Sequence, residues 1–316
     1  MKPLASIARF RREVLGLNRR NQEYVFRHNS RALFHLVDDK IGTKAALASA
    51  GIPVPKSFAV FEVQRDLRRL GWALRRLVDF VMKPARGSGG GGVLSIVGRE
   101  GERFLKGSGA ALTQADLEDH ASDILAGAYA RNQRQDEALV EYRIRPESVV
   151  GAMSYGGVAD FRFLVFQGVP VLAMMRLPTR LSDGRANLHM GGIGVGIDLA
   201  AGVTTGAFGR GRAIERHPDL GTELVGVRLP HWEEMLDIAA RCHEPVPLGF
   251  FGADLVLDAE RGPMVLEINA RPGLGIQLAN RRGLRPVLEA VEAARPARLS
   301  VPERIALGKE IFAKTV

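Results

Sequence analysis

The chain has 316 residues, of which 46% are hydrophobic and 25% are charged, and its formal net charge is +9. These values are typical of a folded soluble protein with one large domain or two to three subdomains. The single cysteine, Cys242, excludes a disulfide framework, and the lack of a long apolar run excludes a membrane span and a secretory signal. We therefore expect a cytoplasmic protein in which Cys242 is a core residue, with a nucleophile as the alternative.

Positive charge is concentrated in the first 31 residues. Their basic side chains are Lys2, Arg9, Arg11, Arg12, Arg19, Arg20, Arg27 and Arg31, against the acids Glu13 and Glu23. Such a segment suits an acidic substrate, an acidic protein partner, an anionic membrane surface or nucleic acid, or it is a solvated helix face. Nucleic acid is the least favoured because no aromatic-rich stacking motif accompanies the charge. Residues 3–17 predict a basic amphipathic helix, and residues 18–30 an irregular polar stretch.

A second helix is predicted from Asp38 or Asp39 to Gly51, and it contains Lys40. Aspartate is a good N-cap, and the glycine with the prolines that follow it ends the pattern. A strand at 57–60 and a helix at about 62–76 come next.

Residues 78–97 predict a strand, a glycine loop and another strand. The first strand carries Lys83, and the loop runs from Gly87 to Gly92. Glycines let successive backbone N–H groups turn toward an anion, and a lysine supplies a point charge for a phosphate oxygen. The loop is not a Walker A sequence, because no Gly-Lys-Ser/Thr follows it. The pattern indicates a flexible flap over phosphates, with a plain glycine hairpin tip as the alternative.

The middle of the chain predicts a helix, a strand and then a pair of strands. The helix spans residues 113–130 and starts at Thr113, with Asp116 in capping-box-like spacing. The strand spans residues 138–142. The strand pair, residues 158–177, carries Arg162 on its first member and Arg176 on its second.

A polar loop, residues 181–190, separates these strands from the run Gly191–Gly196. That run has Gly-x-Gly spacings but lacks the strand–turn–helix frame of a dinucleotide-binding fingerprint. His189 in the loop is a candidate acceptor for an amine proton, with a solvated loop histidine as the alternative. A helix at 230–243 follows, and residues 285–313 predict a helical tail with proline interruptions.

Two apolar runs, residues 252–256 and 265–269, predict a hairpin around the turn 258–263. Strand side chains alternate, so Glu267 and Asn269 share one face. If the pairing is symmetric about the turn, Asp254 lies opposite Glu267. Opposed carboxylates repel each other unless a cation lies between them, and Mg²⁺ favours oxygen ligands of this kind. The hairpin therefore predicts a magnesium site, with a polar face open to water as the alternative.

The order of these features resembles the ATP-grasp superfamily over residues 38 to about 280. The most specific part is Asp254 with the run Glu267-Ile268-Asn269-Ala270-Arg271-Pro272-Gly273. Three further runs are similar to the RimK-related alpha-L-glutamate ligase-like proteins, a group that is similar in turn to the sugar-transfer-associated ATP-grasp proteins. These runs are Leu17-Asn18-Arg19-Arg20-Asn21, Asn29-Ser30-Arg31 and Val37-Asp38-Asp39-Lys40.

The resemblance implies an α+β ATP-grasp fold, in which two α+β lobes with antiparallel sheets clasp ATP. Residues 38–142, with the glycine flap, would form the first lobe, and residues 143–284, with the metal hairpin, the second. Residues 1–37 would be a basic N-terminal segment and residues 285–316 a helical tail. The Rossmann-like domain that precedes the lobes in most ATP-grasp ligases is expected to be missing, with the basic segment in its place.

The resemblance also implies roles for individual residues. The nucleotide contacts would be Lys40 and Lys83 at the phosphates, Gly87, Ser88, Gly89, Gly90 and Gly91 folded over them, Glu141 and Tyr142 at the adenine, and Glu147 at the ribose. Asp254, Glu267 and Asn269 would hold one or two Mg²⁺ ions, or Mn²⁺. Arg162 and Arg176 would neutralise the transferred phosphate and the acyl intermediate, and Arg271 is a candidate for a substrate carboxylate. The alternatives are surface lysines and strand arginines paired with neighbouring acids.

The implied reaction is an ATP-dependent ligation. A carboxylate attacks the γ-phosphate to give an acyl phosphate, and an amine then attacks to form an amide. The substrate would be a small molecule or peptide with a carboxylate and an amine, and the added residue glutamate or a similar acid. The alternative is a catalytically silent ATP-binding module that docks through its basic N-terminus on an acidic protein or membrane surface. The sequence leaves the oligomeric state open, a homo-oligomer included.

Overall fold

The computed structural model describes residues 12–87, 89–130 and 135–315. Lys2, Arg9, Arg11, Ser88 and most of the helix predicted at 3–17 lie outside these residues. The described chain divides into a larger unit, residues 12–37, Thr43–Val54 and 145–315, and a smaller unit, Asp38–Gly42 and Pro55–Ile144. In both units helices accompany an antiparallel sheet, which confirms the predicted α+β class.

The strands, numbered in chain order, are β1 (Ser57–Phe61), β2 (Phe80–Pro84), β3 (Leu94–Glu100), β4 (Arg103–Lys106), β5 (Ala111–Leu112), β6 (Ala138–Glu141), β7 (Asp160–Phe166), β8 (Val169–Leu177), β9 (Ile193–Ile197), β10 (Thr204–Gly209), β11 (Arg212–Ile214), β12 (Phe250–Asp258) and β13 (Gly262–Asn269). The α-helices are α1 (Leu17–Arg19), α2 (Phe26–His28), α3 (His35–Asp38), α4 (Lys40–Ser49), α5 (Leu70–Leu74), α6 (Gln114–Leu125), α7 (Ser148–Gly151), α8 (Trp232–Arg241), α9 (Ile276–Ala279), α10 (Arg285–Ala294) and α11 (Val301–Lys314). A π-helical segment spans Arg20–Val25, and 3₁₀ turns span Arg31–Leu33, Gln64–Arg69, Leu188–Met190 and Pro296–Arg298.

The smaller unit is built on a sheet with the strand order β1-β6-β2-β3-β4-β5. Helix α6 packs on this sheet through Leu117, Ala121 and Ile124, which lie in the same core as Phe80 and Phe104. The predicted capping box is confirmed, since the Thr113 hydroxyl accepts from the backbone N–H of Asp116 and the Asp116 carboxylate accepts from that of Thr113.

The helix predicted at 62–76 was wrong in type over its first half. Gln64–Arg69 is a 3₁₀ turn that passes into the short helix α5. The Asp66 carboxylate accepts from the backbone N–H groups of Glu62 and Val63, which fixes the start of the tight turn.

The larger unit is built on a sheet with the strand order β11-β10-β9-β8-β7-β12-β13. Strands β7, β8 and β12 are buried along their whole length. The phenylalanines on β7 and β12 are part of this core: Phe161, Phe163, Phe166, Phe250 and Phe251. Helices α8 and α11 pack on this sheet, and α10, the 3₁₀ turn and α11 confirm the predicted helical tail.

The N-terminal segment is part of this unit. Leu15, Tyr24 and Val25 are buried in its core, and the Asn29 amide pairs with both the N–H and the C=O of Phe250. The irregular stretch predicted at 18–30 was wrong, because residues 17–28 are helical with a π turn in the middle. Contacts with distant parts of the chain stabilise that helix, and local propensity does not reveal them.

Helix α4 and the residues after it differ from the predicted division as well. Leu47 and Ile52 are buried in the core of the larger unit, and the Pro53 carbonyl accepts from the N–H of Val265. Thr43–Val54 therefore belongs to the larger unit, although the resemblance implied the first lobe for it. The predicted boundary after residue 142 lies two residues from the boundary at Ile144.

Two further predictions concern the glycine run and the hairpin. Gly194 and Gly196 lie in β9, where the Cβ of any larger residue would meet Ala279, so this run is a close-packed strand and not a dinucleotide fingerprint, as expected. In the hairpin Asp254 pairs with Glu267, as predicted, and a β-bulge follows at Leu255. No helix among the described residues is both long and apolar enough to cross a membrane.

Candidate active site

Lys83 and Glu141 form an ion pair in the smaller unit. Strands β2 and β6 are neighbours, and their register places Lys83 opposite Leu139, two residues from Glu141. The Lys83 side chain is 12% exposed and that of Glu141 is 4% exposed. Two neighbouring strands thus hold a nearly buried ammonium group beside a carboxylate, and the roles of Lys83 at a phosphate and of Glu141 at the adenine stay predictions.

The glycine loop begins directly after β2 and is linked to Lys40. The Lys40 Nζ donates to the carbonyls of Gly87, at 2.6 Å, and Ala85, at 3.2 Å. Gly89, Gly90 and Gly92 have positive φ angles, which side chains disfavour. The backbone of the loop therefore favours glycine at these three positions, and Lys40 binds the residue at which the loop begins.

The far end of the loop is supported by two residues that the sequence analysis missed. The carbonyl of Gly92 lies 3.0 Å from His120 Nε2, and a Cβ at Gly92 would lie 2.6 Å from the ring of Tyr129. Burial lowers the pKa of His120. No local pattern around residues 120–129 marks them, because their role depends on the return of the chain to the loop.

The family resemblance places Tyr142 at the adenine and Glu147 at the ribose as expectations. Tyr142 is buried, and its backbone N–H donates to the carbonyl of Lys56 at 2.8 Å. Glu147 is the N-cap of α7, where its carboxylate accepts from the backbone N–H groups of Val149 and Val150. The cap already occupies this carboxylate, and its role toward a ribose stays a prediction.

The larger unit contains a buried cluster of two arginines and two aspartates. Arg162 on β7 donates from Nε and Nη2 to the two oxygens of Asp254 on β12, at 2.7 and 2.5 Å. Arg176 on β8 donates from Nη2 to Asp254 Oδ2 at 2.8 Å and from Nε to Asp160 Oδ1 at 2.5 Å. Strand register explains the cluster, since Asp254 pairs with Arg162 and Asp160 with Arg176.

Asp160 was not among the predicted site residues, and its pattern offered a signal. It stands two residues before Arg162 on β7, so both side chains lie on one face of the strand. A carboxylate at this spacing beside a strand arginine is a candidate for its partner. The strand arginines are thus paired with neighbouring acids, which was the expected alternative. One of these acids, Asp254, lies on the predicted metal hairpin, and both arginines bind it.

Burial and the neighbouring charges shift the pKa values of the residues in this cluster. Burial raises the pKa of Asp254, but Arg162 and Arg176 outweigh it and lower this pKa to about 2. Burial raises the pKa of Asp160 to about 6, more than Arg176 offsets. Burial alone would lower the pKa of Arg176, but Asp160 and Asp254 raise it by more. The net shift is upward, so the guanidinium stays charged.

Glu267 and Asn269 complete the hairpin face. The Asn269 amide nitrogen lies 3.0 Å from Asp254 Oδ2 and 3.0 Å from Glu267 Oε1, so two carboxylates converge on one donor. Two carboxylates and an amide are the ligand types that Mg²⁺ takes, with water and phosphate for the rest. Among the described residues no group of three or more His, Cys, Asp or Glu side chains is placed to hold a metal. The predicted role of Asp254, Glu267 and Asn269 as magnesium ligands stays a prediction.

Arg271 and Cys242 lie outside the cluster. The Arg271 guanidinium lies over the rings of Phe34 and Phe26, at 5.2 and 5.8 Å from their centroids. Cys242 is fully buried, and burial raises the pKa of its thiol to about 12. Cys242 is therefore a core residue, as expected, and its role as a nucleophile is not supported.

One family model matches most of the chain. The family model for sugar-transfer-associated ATP-grasp proteins matches residues 19–293. The chain belongs to this ATP-grasp family. Membership confirms the family predicted from the sequence and the ATP-grasp fold.

A curated protein and two solved structures are similar to this member of the family. A probable alpha-L-glutamate ligase from Sodalis glossinidius (strain morsitans) is 31% identical over 156 residues, which are 45% of this chain and 41% of that protein. The structure of the ATP-grasp ligase PsnB complexed with a minimal precursor is 18% identical, with a TM-score of 0.45, and the match covers 84% of this chain and 63% of that one. For the D-alanine–D-alanine ligase from Bacillus anthracis these values are 14%, 0.45, 90% and 72%. The match thus spans about two fifths of the curated relative.

Proposed function

We propose that the chain is an ATP- and Mg²⁺-dependent ligase that joins a carboxylate to an amine through an acyl phosphate. The observation that carries the proposal is the buried cluster at the hairpin, in which Arg162 and Arg176 both bind Asp254. Burial of charged side chains lowers the stability of a fold, and buried clusters of this kind are concentrated at functional sites.

Each arginine of the cluster keeps a donor group for a ligand. Arg162 and Arg176 use Nε and Nη2 toward aspartates, and neither Nη1 has a hydrogen-bond partner among the described residues. Arg162 and Arg176 thus offer fixed positive charge to a phosphate that is transferred and to a carboxylate that attacks it. This charge lowers the repulsion between two anions, which is the main obstacle to phosphoryl transfer onto a carboxylate.

The residues of the smaller unit would bind the nucleotide. Lys83 and Lys40 supply charge for phosphate oxygens, and the loop Gly87–Gly92 supplies backbone N–H groups. Asp254, Glu267 and Asn269 would hold Mg²⁺, which when bound supplies a Lewis acid to the phosphate oxygens. Catalysis then depends on positioning and charge, without a protein nucleophile.

The amino acid joined is proposed to be glutamate or a similar acid. The support is the likeness to the probable alpha-L-glutamate ligase over 45% of the chain. An assay with a pool of amino acids would identify the one that is joined.

The proposal is tested by ADP release from ATP and Mg²⁺ with a pooled set of amino acids, followed by mass spectrometry of the products. We expect release that depends on one amino acid, a product with the mass of a condensed pair, and loss of both in Glu267→Ala. Glu215→Ala, at an exposed position of the same unit, is the control and should keep full activity. Binding of ATP without turnover on any pool would contradict a ligase.

A second candidate function is that of an ATP-binding module without turnover. It is favoured by the saturation of Asp254, whose oxygens already accept hydrogen bonds from two guanidinium groups and one amide. In that case ATP affinity would be equal in wild type and Glu267→Ala, with no ADP formed. A Mg²⁺-dependent affinity that Glu267→Ala abolishes would speak against the module.

A further inference from the structure

The short helix α5 has one side toward the core of the smaller unit and one side toward solvent. Leu70 and Leu74, four residues apart, are buried on the inner side and belong to the same core as Phe80. Trp72 lies halfway between them and on the opposite side, since each residue turns a helix by about 100°. Trp72 is 69% exposed. The fold therefore does not use this indole ring to bury apolar surface.

Trp72 differs in its environment from the other tryptophan of the chain. Trp232 is 6% exposed and donates from its indole N–H to the carbonyl of Leu199. Trp72 contacts Arg75, whose guanidinium lies 4.1 Å from the ring centroid and donates to the Trp72 carbonyl at 2.8 Å. The indole N–H of Trp72 has no hydrogen-bond partner among the described residues. A large exposed ring with a free donor suits a partner that is both apolar and polar.

Arginines flank Trp72 on both sides. Residues 68–76 read Arg-Arg-Leu-Gly-Trp-Ala-Leu-Arg-Arg, so all the positions three and four residues before and after Trp72 are arginine. Residues at these spacings are neighbours on the surface of a helix. The run contains no acid, and its four arginines are all exposed: Arg68, Arg69, Arg75 and Arg76. We call Trp72 and these four arginines the tryptophan patch.

Most of the charge in the tryptophan patch is free for a partner. Arg68 and Arg76 form no hydrogen bond within the described parts of the chain. Arg69 is partly engaged, since it donates to the carbonyl of Val60 at 3.2 Å and lies 3.7 Å from the Asp66 carboxylate. The patch therefore keeps a positive charge that the smaller unit does not neutralise.

The surface around the patch has the same character. Val78, which follows the arginine run, is 62% exposed. Arg99 on β3 donates to the carbonyls at positions 74 and 75, at 3.4 and 3.3 Å, and so brings a further charge to the end of α5. The acid next in the chain, Asp79, is paired with Arg143 at 3.0 Å. Apolar and basic side chains thus share one surface at the end of this helix.

We propose that the tryptophan patch docks on the surface of an anionic lipid bilayer. The interfacial layer of a bilayer takes up indole rings, and its phosphate groups attract guanidinium groups. Trp72 then lies at the depth of the headgroups, with its N–H toward a lipid oxygen and the arginines beside the phosphates. An acidic protein would match the arginines alone, whereas a bilayer also accepts Trp72 and Val78 without a shaped pocket. This docking does not depend on the proposed ligase function.

The experiment measures sedimentation of the full chain with vesicles of phosphatidylcholine, either alone or mixed with phosphatidylglycerol. We expect preferential binding to the mixed vesicles, because only their surface is anionic. Trp72→Ala and the double variant Arg68→Ala/Arg76→Ala should each weaken this binding about tenfold or more. Both variants should fold as wild type does, because these three side chains are exposed.

Matched controls change similar side chains outside the patch. Arg212→Ala/Arg298→Ala removes the same charge at exposed positions of the larger unit, and Leu181→Ala removes an apolar side chain that is 62% exposed. Both controls should bind the mixed vesicles as wild type does. Tryptophan fluorescence is a second readout, since the chain has two tryptophans and Trp232 is buried. The mixed vesicles should shift the emission to shorter wavelength in wild type and leave it unchanged in Trp72→Ala.

The outcomes decide between this docking and other sources of binding. Equal vesicle binding by wild type, Trp72→Ala and the double patch variant would overturn the proposal, because the binding would then come from other residues. Equal binding to both kinds of vesicle, or binding to neither, would overturn it as well. Binding to soluble poly-L-glutamate but not to vesicles would assign the patch to an acidic protein instead of a bilayer.

Discussion

Asp254 is the residue on which most of the candidate site depends. Its two oxygens accept hydrogen bonds from Arg162, Arg176 and Asn269, and it is 1% exposed. Removal of one partner of a buried ion pair leaves the other charge without compensation. The effect of Asp254 on the free energy of unfolding can therefore be predicted without knowledge of the substrate.

Asp254→Asn should lower the free energy of unfolding by about 3 kcal/mol or more, because the two buried guanidinium groups lose their shared counter-charge. Urea denaturation at pH 7 measures the loss. Asp119→Asn, at an exposed position on α6, is the control and should stay within about 0.5 kcal/mol of wild type. Equal stability of Asp254→Asn and wild type would mean that the cluster is not held as described.

The pKa of Asp254 predicts how this stability depends on pH. The folded pKa is lowered to about 2, below the value of about 3.9 for an unfolded aspartate. The contribution of Asp254 is thus fully present above pH 4 and is lost as the pH falls toward 2. The stability difference between wild type and Asp254→Asn should shrink across this window. A difference that stays constant from pH 5 to pH 2.5 in urea titrations would contradict the lowered pKa.

At the scale of elements, the glycine loop shows why glycine is required at a given position. Gly92 has a φ of 72°, and a Cβ there would lie 2.6 Å from the Tyr129 ring. Gly98, on β3, has only Leu105 within reach, at 3.9 Å. The two glycines of one unit therefore differ sharply in what they tolerate.

Gly92→Ala should destabilise the smaller unit by about 1–3 kcal/mol and weaken ATP binding, since a left-handed residue acquires a side chain that meets a ring. Gly98→Ala should leave both quantities nearly unchanged. Denaturant unfolding and titration with a non-hydrolysable ATP analogue measure the pair. Equal ATP affinity in the two variants would show that the loop does not contact the nucleotide.

The hairpin and the capping box could be predicted because their signals are local. Alternation and turn residues fix the pairing of Asp254 with Glu267, and three-residue spacing fixes the cap of Thr113 and Asp116. The partners of the site could not be predicted in this way. His120 reaches the glycine loop, and His189 reaches Gly273, through contacts between segments far apart in sequence.

At the scale of the whole molecule, the basic N-terminal segment is part of the larger unit. Leu15, Tyr24 and Val25 are buried in its core, and Arg20 Nη1 donates to the carbonyl of Pro272, directly after the metal hairpin, at 2.8 Å. Arg19 and Arg27 of the same segment are exposed. Docking of this segment on an acidic partner stays a prediction.

Asn29→Ala should lower the free energy of unfolding by about 1–3 kcal/mol, because the backbone N–H and C=O of Phe250 lose their side-chain partner in a buried position. Asn18→Ala, at an exposed position of the same segment, is the matched control and should be neutral. Thermal unfolding compares the two. A neutral Asn29→Ala would mean that the segment is not anchored to β12.

The central claim is that the protein transfers the γ-phosphate of ATP to a carboxylate. Its most direct test uses the substrate whose carboxyl group becomes the amide carbonyl of the product found in the pooled assay. That carboxyl group is labelled with ¹⁸O, and the phosphate released during amide formation is analysed by mass spectrometry. An acyl phosphate carries one carboxyl oxygen into the phosphate, so one ¹⁸O per phosphate is expected in wild type, and no labelled phosphate in Glu267→Ala. Amide formation with unlabelled phosphate, or ATP hydrolysis without an amide product, would contradict the claim.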